Sequence, residues 1–258
     1  MIEIHATAPT AKIILDRGAT HNALDPDMVA QLAEAFDDLR QEKRVRTVVL
    51  SANGDTFCSG VDLKSWHATM QAGEDSLEEW EDIAANLQTL LEQMLRFPKV
   101  IIAAVGGGAI GFGAALPLCC DLTVCTERAY LEMPAPRRGL VSGLVAPLLS
   151  FRFGASAAAR LLLGNERVDG RTAASLGWFH RCVPHSECVA AAEAWGNSLA
   201  DAAPESVQMT KRLLNEMIGE TMMQTLSSGA AAMASVCSTE AAGEGVEAFL
   251  QKRPAIFP

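Results

Sequence analysis

The stretch AAVGGGAIGFGAALPLCCD, Ala103–Asp121, decides how this chain is read. Within it, Gly106, Gly108 and Gly111 carry the G-x-G-x-x-G spacing of a dinucleotide fingerprint. An apolar strand, KVIIAAV, precedes the glycines, a helix follows, and Glu127 stands where a ribose-binding acid would. Against that reading, the helix is very short and contains Pro117, which removes a backbone donor. The segment also begins far into the chain, after a complete strand–turn unit with its own glycine. A second reading sees two similar units, TVVLSANGDTFCSGVDL from Thr47 and VIIAAVGGGAIGFGAAL from Val100. Each sets a buried strand before a glycine-containing turn and leaves backbone N–H groups free there. Two such groups aimed at one point form an oxyanion hole, and glycine lets a ligand approach the backbone closely. The plainer alternative is a pair of tight turns in an α/β core.

Outward from this segment, AKIILD, RTVVLSA and DLTVCT read as further strands. A helix follows NALDPDM, with Asn22 and Asp25 as cap candidates and Pro26 in its first turn. Met28, Leu32, Ala35, Phe36 and Leu39 recur along it at helical spacing. Lys64 to Ser76 is polar and is expected to be a mobile loop. From Ser76 a long amphipathic helix runs to Pro98, with Glu78, Glu79, Glu81 and Asp82 complementing the dipole at its start. Beyond Ala155 the texture changes to short helices. Strand–helix alternation followed by a helical end predicts an α/β fold with a helical C-terminal appendage.

The chain has 258 residues and a net charge of −10. Its field is a poor match for nucleic acid or an anionic membrane. Val100 to Cys120 is uncharged and approaches spanning length, but five glycines and Pro117 interrupt it. A buried strand, turn and short helix explain it better than a membrane span. Seven scattered cysteines read as reduced thiols of a cytoplasmic protein. No C-x-x-C has a matching partner for a zinc site, and the N-terminus lacks a signal-peptide pattern.

Taken together, HNALDPDM, RTVVLSANGDTFCSGVDLKSW, PKVIIAAVGGGAIGFGAALPLCCDLTVCTERAYLEMP, RRGL, TAASLGW and EGVEAFLQKRPAIF resemble the enoyl-CoA hydratase/isomerase (crotonase) superfamily. The order and spacing match over essentially the whole chain. The resemblance implies a crotonase-like spiral of ββα units over residues 1–200, carrying an acyl-CoA site. It implies a helical oligomerisation region over residues 201–258, forming a homotrimer or a dimer of trimers. The ligand would be an acyl-CoA thioester. Coenzyme A then enters as part of the substrate, with no separate cofactor and no metal.

Carried over by position, the oxyanion-hole N–H groups belong to Val61 and Phe112. The family usually places a small residue at the first and glycine at the second. Two glutamates that handle water and the α-proton in hydratases fall here at Ala115 and Ala135. An aspartate used by some relatives falls at Gly143. Each positioned acid or base contributes about 10²- to 10⁴-fold, and alanine supplies none of it. Conventional hydration is therefore not expected. Decarboxylation, or isomerisation with another base, is the expected chemistry; the alternative is a non-catalytic acyl-CoA-binding or regulatory protein. Glu132 is the candidate replacement acid. The plainer reading makes Glu132, Arg137 and Arg138 surface or inter-subunit charges. His67, beside Trp66, is a candidate base if the loop brings it inward. Cys119 and Cys120 are expected to be core residues rather than nucleophiles, and Tyr130 a packing residue. For the CoA moiety, the resemblance implicates Arg17, Lys64, Lys252 and Arg253, whose charges suit phosphate.

Overall fold

The computed structural model of the chain describes residues 1–71 and 76–258. Its strands are β1 (Ile2–His5), β2 (Thr10–Leu15), β3 (Thr47–Ala52), β4 (Thr56–Cys58), β5 (Val100–Val105), β6 (Gly108–Ile110), β7 (Leu122–Thr126), β8 (Tyr130–Glu132), β9 (Val168–Asp169) and β10 (Arg181–Val183). The α-helices are α1 (Pro26–Gln41), α2 (Leu63–Gln71), α3 (Ser76–Leu95), α4 (Ala115–Cys119), α5 (Val145–Phe153), α6 (Ala155–Leu162), α7 (Gly170–Ser175), α8 (Cys188–Ser198), α9 (Pro204–Arg212), α10 (Glu220–Cys237) and α11 (Glu240–Leu250).

Two sheets organise the molecule. The larger has the order β1-β2-β3-β5-β7-β10, and the smaller β4-β6-β8-β9. In the larger sheet β1 is antiparallel to β2 and every other pair is parallel. Strands β3 and β5 read TVVLSA and VIIAAV because helices cover both faces of a parallel sheet, so no polar alternation is required. Val48, Val49, Leu50, Ile101, Ile102 and Ala103 are fully buried there. Each of β3, β5 and β7 hands the chain to a short strand of the smaller sheet, β4, β6 and β8 respectively, and helical structure follows. This is the repeated ββα path that the resemblance implies.

The glycine segment is thus not a strand–turn–helix. Gly106 and Gly107 turn the corner between β5 and β6, Gly108 lies within β6, and Gly111 opens a 3₁₀ turn over Gly111–Ala114. Glu127 is exposed and paired with Arg171 at 3.1 Å. The two-unit reading describes the observed backbone.

Helix α1 begins as its sequence predicts. Asp25 accepts a hydrogen bond from the Met28 amide at 2.9 Å, Pro26 occupies the first turn, and the five anticipated apolar residues are buried. Asn22 is not a cap. It is buried with φ 54°, and its side chain ties together the Arg17 amide and the carbonyls of Asn53 and Thr56. The expected loop after Lys64 is instead helical as far as Gln71. Leu63, Trp66 and Thr69 give α2 a buried face, and Trp66 meets Trp80 of α3 edge-on at 5.1 Å. Residues 72–75 of that expected loop lie outside the described residues.

At the C-terminal end, α9 passes into a π-helical turn over Leu213–Ile218. Helix α10 then packs against α3 and α5, and α11 against α2 and the 3₁₀ turn Ala135–Arg138. Among the described residues no helix is long and apolar enough to cross a membrane.

Candidate active site

The site is assembled at the ends of three neighbouring parallel strands. Strands β4 and β6 pair through Cys58 and Ala109, and β6 and β8 through Ile110 and Glu132. The chain therefore leaves all three at one edge of the smaller sheet. Loops at the carboxyl ends of parallel strands are where open α/β sheets build ligand sites. Here the loops bring Val61, Phe112 and Ala135 to a common pocket.

The first loop is held by a short parallel bridge. The Leu24 amide donates to Gly60 O at 2.8 Å, and the Asp62 amide donates to Leu24 O at 2.8 Å. In an extended segment successive amides alternate in direction. The Val61 N–H consequently faces away from Leu24, and Val61 lines the pocket. The second N–H belongs to Phe112, in the opening of a 3₁₀ turn and ahead of its first internal bond. Neither amide has a protein acceptor among the described residues. Gly60 sets their proximity. Its φ is +95°, and a methyl group there would lie 2.9 Å from Ile110 O and 3.3 Å from Phe112 N. Only the absence of Cβ permits the two backbones to lie this close.

The inner pocket beneath these amides is about 60 Å³. Trp66, Leu140, Val141, Leu144 and Met233 supply apolar walls, and Ala135 and Gly143 also line it. Among its described lining residues there is no carboxylate and no imidazole. Its polar side chains are Ser59, Ser142 and Arg138. The Ser142 Oγ is buried without a hydrogen-bond partner.

The three acid positions differ in kind. Ala135 faces the pocket from the turn after β8. Ala115 is wholly buried at the start of α4 and is not among the lining residues. Gly143 touches α10 backbone to backbone: a methyl there would run into the Gly229 carbonyl, and one on Gly229 into the Gly143 carbonyl. An aspartate at residue 143 has no room while α10 stays in place.

Glu132 sits on β8, where Arg167 donates to it through Nε at 2.9 Å and Nη2 at 2.5 Å. It is not among the pocket-lining residues. Arg137 is exposed, but Arg138 is half-buried, with its guanidinium 4.1 Å from the Phe249 ring centroid. The plainer reading of the sequence made this arginine a surface or inter-subunit charge. A charge one residue before Gly139 carries no helical or strand periodicity, and only the approach of α11 buries it. His67 lies on α2, half-buried, and its Nδ1 has no partner among the described residues. Burial pushes the Cys119 thiol up to about 12 and raises Cys120 as well, which makes both poor nucleophiles.

A wider cleft of about 470 Å³ adjoins the inner pocket and shares Ser59, Val61, Leu63 and Arg138 with it. Lys64, Tyr130 and Phe249 border this cleft. Arg17 lies close by, but its guanidinium is shared by Asp25 at 3.0 Å, Asp62 at 2.8 Å and Ala23 O at 2.8 Å. Burial raises the Asp62 carboxyl, yet Arg17 and the amides of Lys64 and Ser65 outweigh it and hold it below its ordinary value. Arg253 is clamped by Glu244 at 2.6 and 2.8 Å, while Lys252 is exposed with φ 56°. Among the described residues no cluster of His, Cys, Asp or Glu is arranged to hold a metal ion.

This is an α/β protein of ββα repeats, in which Val61 and Phe112, whose amides are unpaired among the described residues, both line an apolar pocket. A profile described as Enoyl-CoA hydratase/isomerase matches residues 5–258. A Thermus thermophilus protein named "Putative enoyl-CoA hydratase" is 35% identical over 247 residues, covering 96% of each chain. The crystal structure of an enoyl-CoA hydratase/isomerase from Xanthobacter autotrophicus superposes with a TM-score of 0.86 at 29% identity, over 97% of this chain and 91% of that one. A second, from Pseudoalteromonas atlantica, gives 0.85 at 27% identity over 100% and 99%. The chain belongs to the enoyl-CoA hydratase/isomerase family, and its fold is that of the crotonases.

Proposed function

We propose that the protein binds an acyl-CoA with the thioester oxygen on the Val61 and Phe112 amides and carries out enolate chemistry without hydration. Decarboxylation is the reaction this reading favours. The observation that carries it is an inner pocket lined by backbone donors and Arg138, with no acid or base among its described lining residues. A thioester with a β-carboxylate brings its own electron pair. The C–C bond to the carboxylate breaks, carbon dioxide leaves, and the pair moves into the thioester as an enolate held by the two amides. Water then protonates the α-carbon. Hydration would instead require a positioned group to activate water.

The cleft shared with Lys64 is the place for the CoA moiety, with Lys252 as a further cation. Arg17, Arg253 and Glu132 have intramolecular partners and would have to exchange them to serve the ligand. The helical region 201–258 belongs to this reading as an oligomer surface, because Met209, Leu214, Met217 and Ile218 are more than half exposed there. Sedimentation analysis tests that part, with a trimer or hexamer expected.

Incubation with a pool of acyl-CoA thioesters, including crotonyl-CoA and malonyl-type thioesters, followed by mass spectrometry, tests the chemistry. Loss of carbon dioxide from a carboxylated thioester is the expected result. Rapid water addition to crotonyl-CoA overturns it. Recovery of a bound but unchanged thioester would replace it with the non-catalytic reading.

A further inference from the structure

The inner pocket contains one charged side chain, Arg138, whose charge has no partner among the described residues. Arg138 makes no ion pair or hydrogen bond from its guanidinium among the described residues, although it is half-buried. The Glu132 charge reaches it, but that carboxylate is committed to two nitrogens of Arg167. Burial lowers the Arg138 pKa, as expected for a cation held away from water without a counter-ion. A guanidinium keeps its charge even so. The face of Phe249, which α11 presents to it, lies against its charge.

A second orphan shares this pocket. The Ser142 hydroxyl is buried, with no hydrogen-bond partner among the described residues. Desolvating a hydroxyl without a hydrogen bond is costly, and so is desolvating a cation without a counter-charge. Both costs recur in one 60 Å³ space. The pocket therefore offers the Val61 and Phe112 amides, a hydroxyl and a guanidinium, with no carboxylate against them. In a chain of net charge −10 this is a local inversion of sign.

We infer that the inner pocket selects acyl groups bearing a carboxylate, with Arg138 as the counter-ion and Ser142 as a second donor. The inference rests on the reading that the site takes an acyl-CoA, and it names the acyl class. A planar guanidinium matches a carboxylate through paired N–H donors. A phosphate of CoA is the competing anion, because Arg138 also borders the outer cleft. The buried Ser142 hydroxyl, which lines the inner pocket and not the outer cleft, favours the acyl end.

The test compares thioesters of matched length that differ in terminal charge. Titration calorimetry would measure succinyl-CoA against butyryl-CoA, and glutaryl-CoA against valeryl-CoA. The expected result is at least tenfold tighter binding of the carboxylated member of one pair. Arg138→Leu should bring that preference below about threefold, read as the ratio of the two affinities within the variant. Arg138→Lys, which keeps the charge but loses the fork, should retain a preference of a few fold. This second variant guards against loss of packing on Phe249. Butyryl-CoA and valeryl-CoA binding as tightly as their carboxylated partners would overturn the inference alone. Equal weakening of both members by Arg138→Leu would place the guanidinium on a CoA phosphate and would also overturn it. Failure of all four thioesters to bind would remove the acyl-CoA reading itself.

Discussion

At the scale of single residues, the site depends on side chains that are missing. Gly60 keeps two loops close because it has no Cβ, and its φ of +95° suits no other residue. Gly60→Ala should cost about 1–3 kcal/mol and move the Val61 amide; urea unfolding and acyl-CoA affinity should both register it. The two alanines differ in environment, so their replacement should differ in cost. Ala115→Glu places a charge in a wholly buried position and should destabilise the fold by roughly 3 kcal/mol or more. Ala135→Glu points a carboxylate into a pocket that contains Arg138 and should be tolerated far better. Denaturation midpoints of the two variants would show the order. Gain of crotonyl-CoA hydration, in either variant or in both together, would place a water-activating group in the pocket.

At the scale of elements, the loop Ser59–Asp62 is fixed by its neighbours rather than by its own sequence. Asp62 accepts from Arg17 at 2.8 Å and from the Lys64 amide at 3.0 Å, fastening the start of α2 to the chain before α1. Its carboxyl is held below the ordinary value. The sign follows from linkage: a depressed folded pKa stabilises above the unfolded value of about 4 and is lost as pH falls through the lowered one. Asp62→Asn should therefore be less stable than the parent by about 1–3 kcal/mol at neutral pH. The difference should shrink below about pH 4, as chemical denaturation across pH would show. The long strands and α1 were legible in the sequence because their burial is periodic or continuous. The short strands β4, β6 and β8 were not, since three residues carry no period. Helix α2 was hidden because its apolar face rests on few residues in a polar segment. The two amide positions were legible only through resemblance to a family, whereas Arg138 and Ser142 required the fold, because distant segments bury them.

At the scale of the whole molecule, the core protects its thiols. Of seven cysteines only Cys182 is exposed. The native protein should react with a thiol reagent at one site per chain and the urea-unfolded protein at seven, which stopped-flow labelling would count. A larger native count would mean that the packing around Cys119 and Cys120 opens. The close approach of Gly143 to Gly229 bears on how the protein comes into being. Both amide-bearing turns precede residue 115, but Met233 on α10 also lines the pocket. On the ribosome the chain emerges from its first residue. A nascent chain can thus form the two turns long before α10 exists to close the pocket. The pocket is completed only near the end of synthesis, and a chain cut short before Glu220 would lack its Met233 wall.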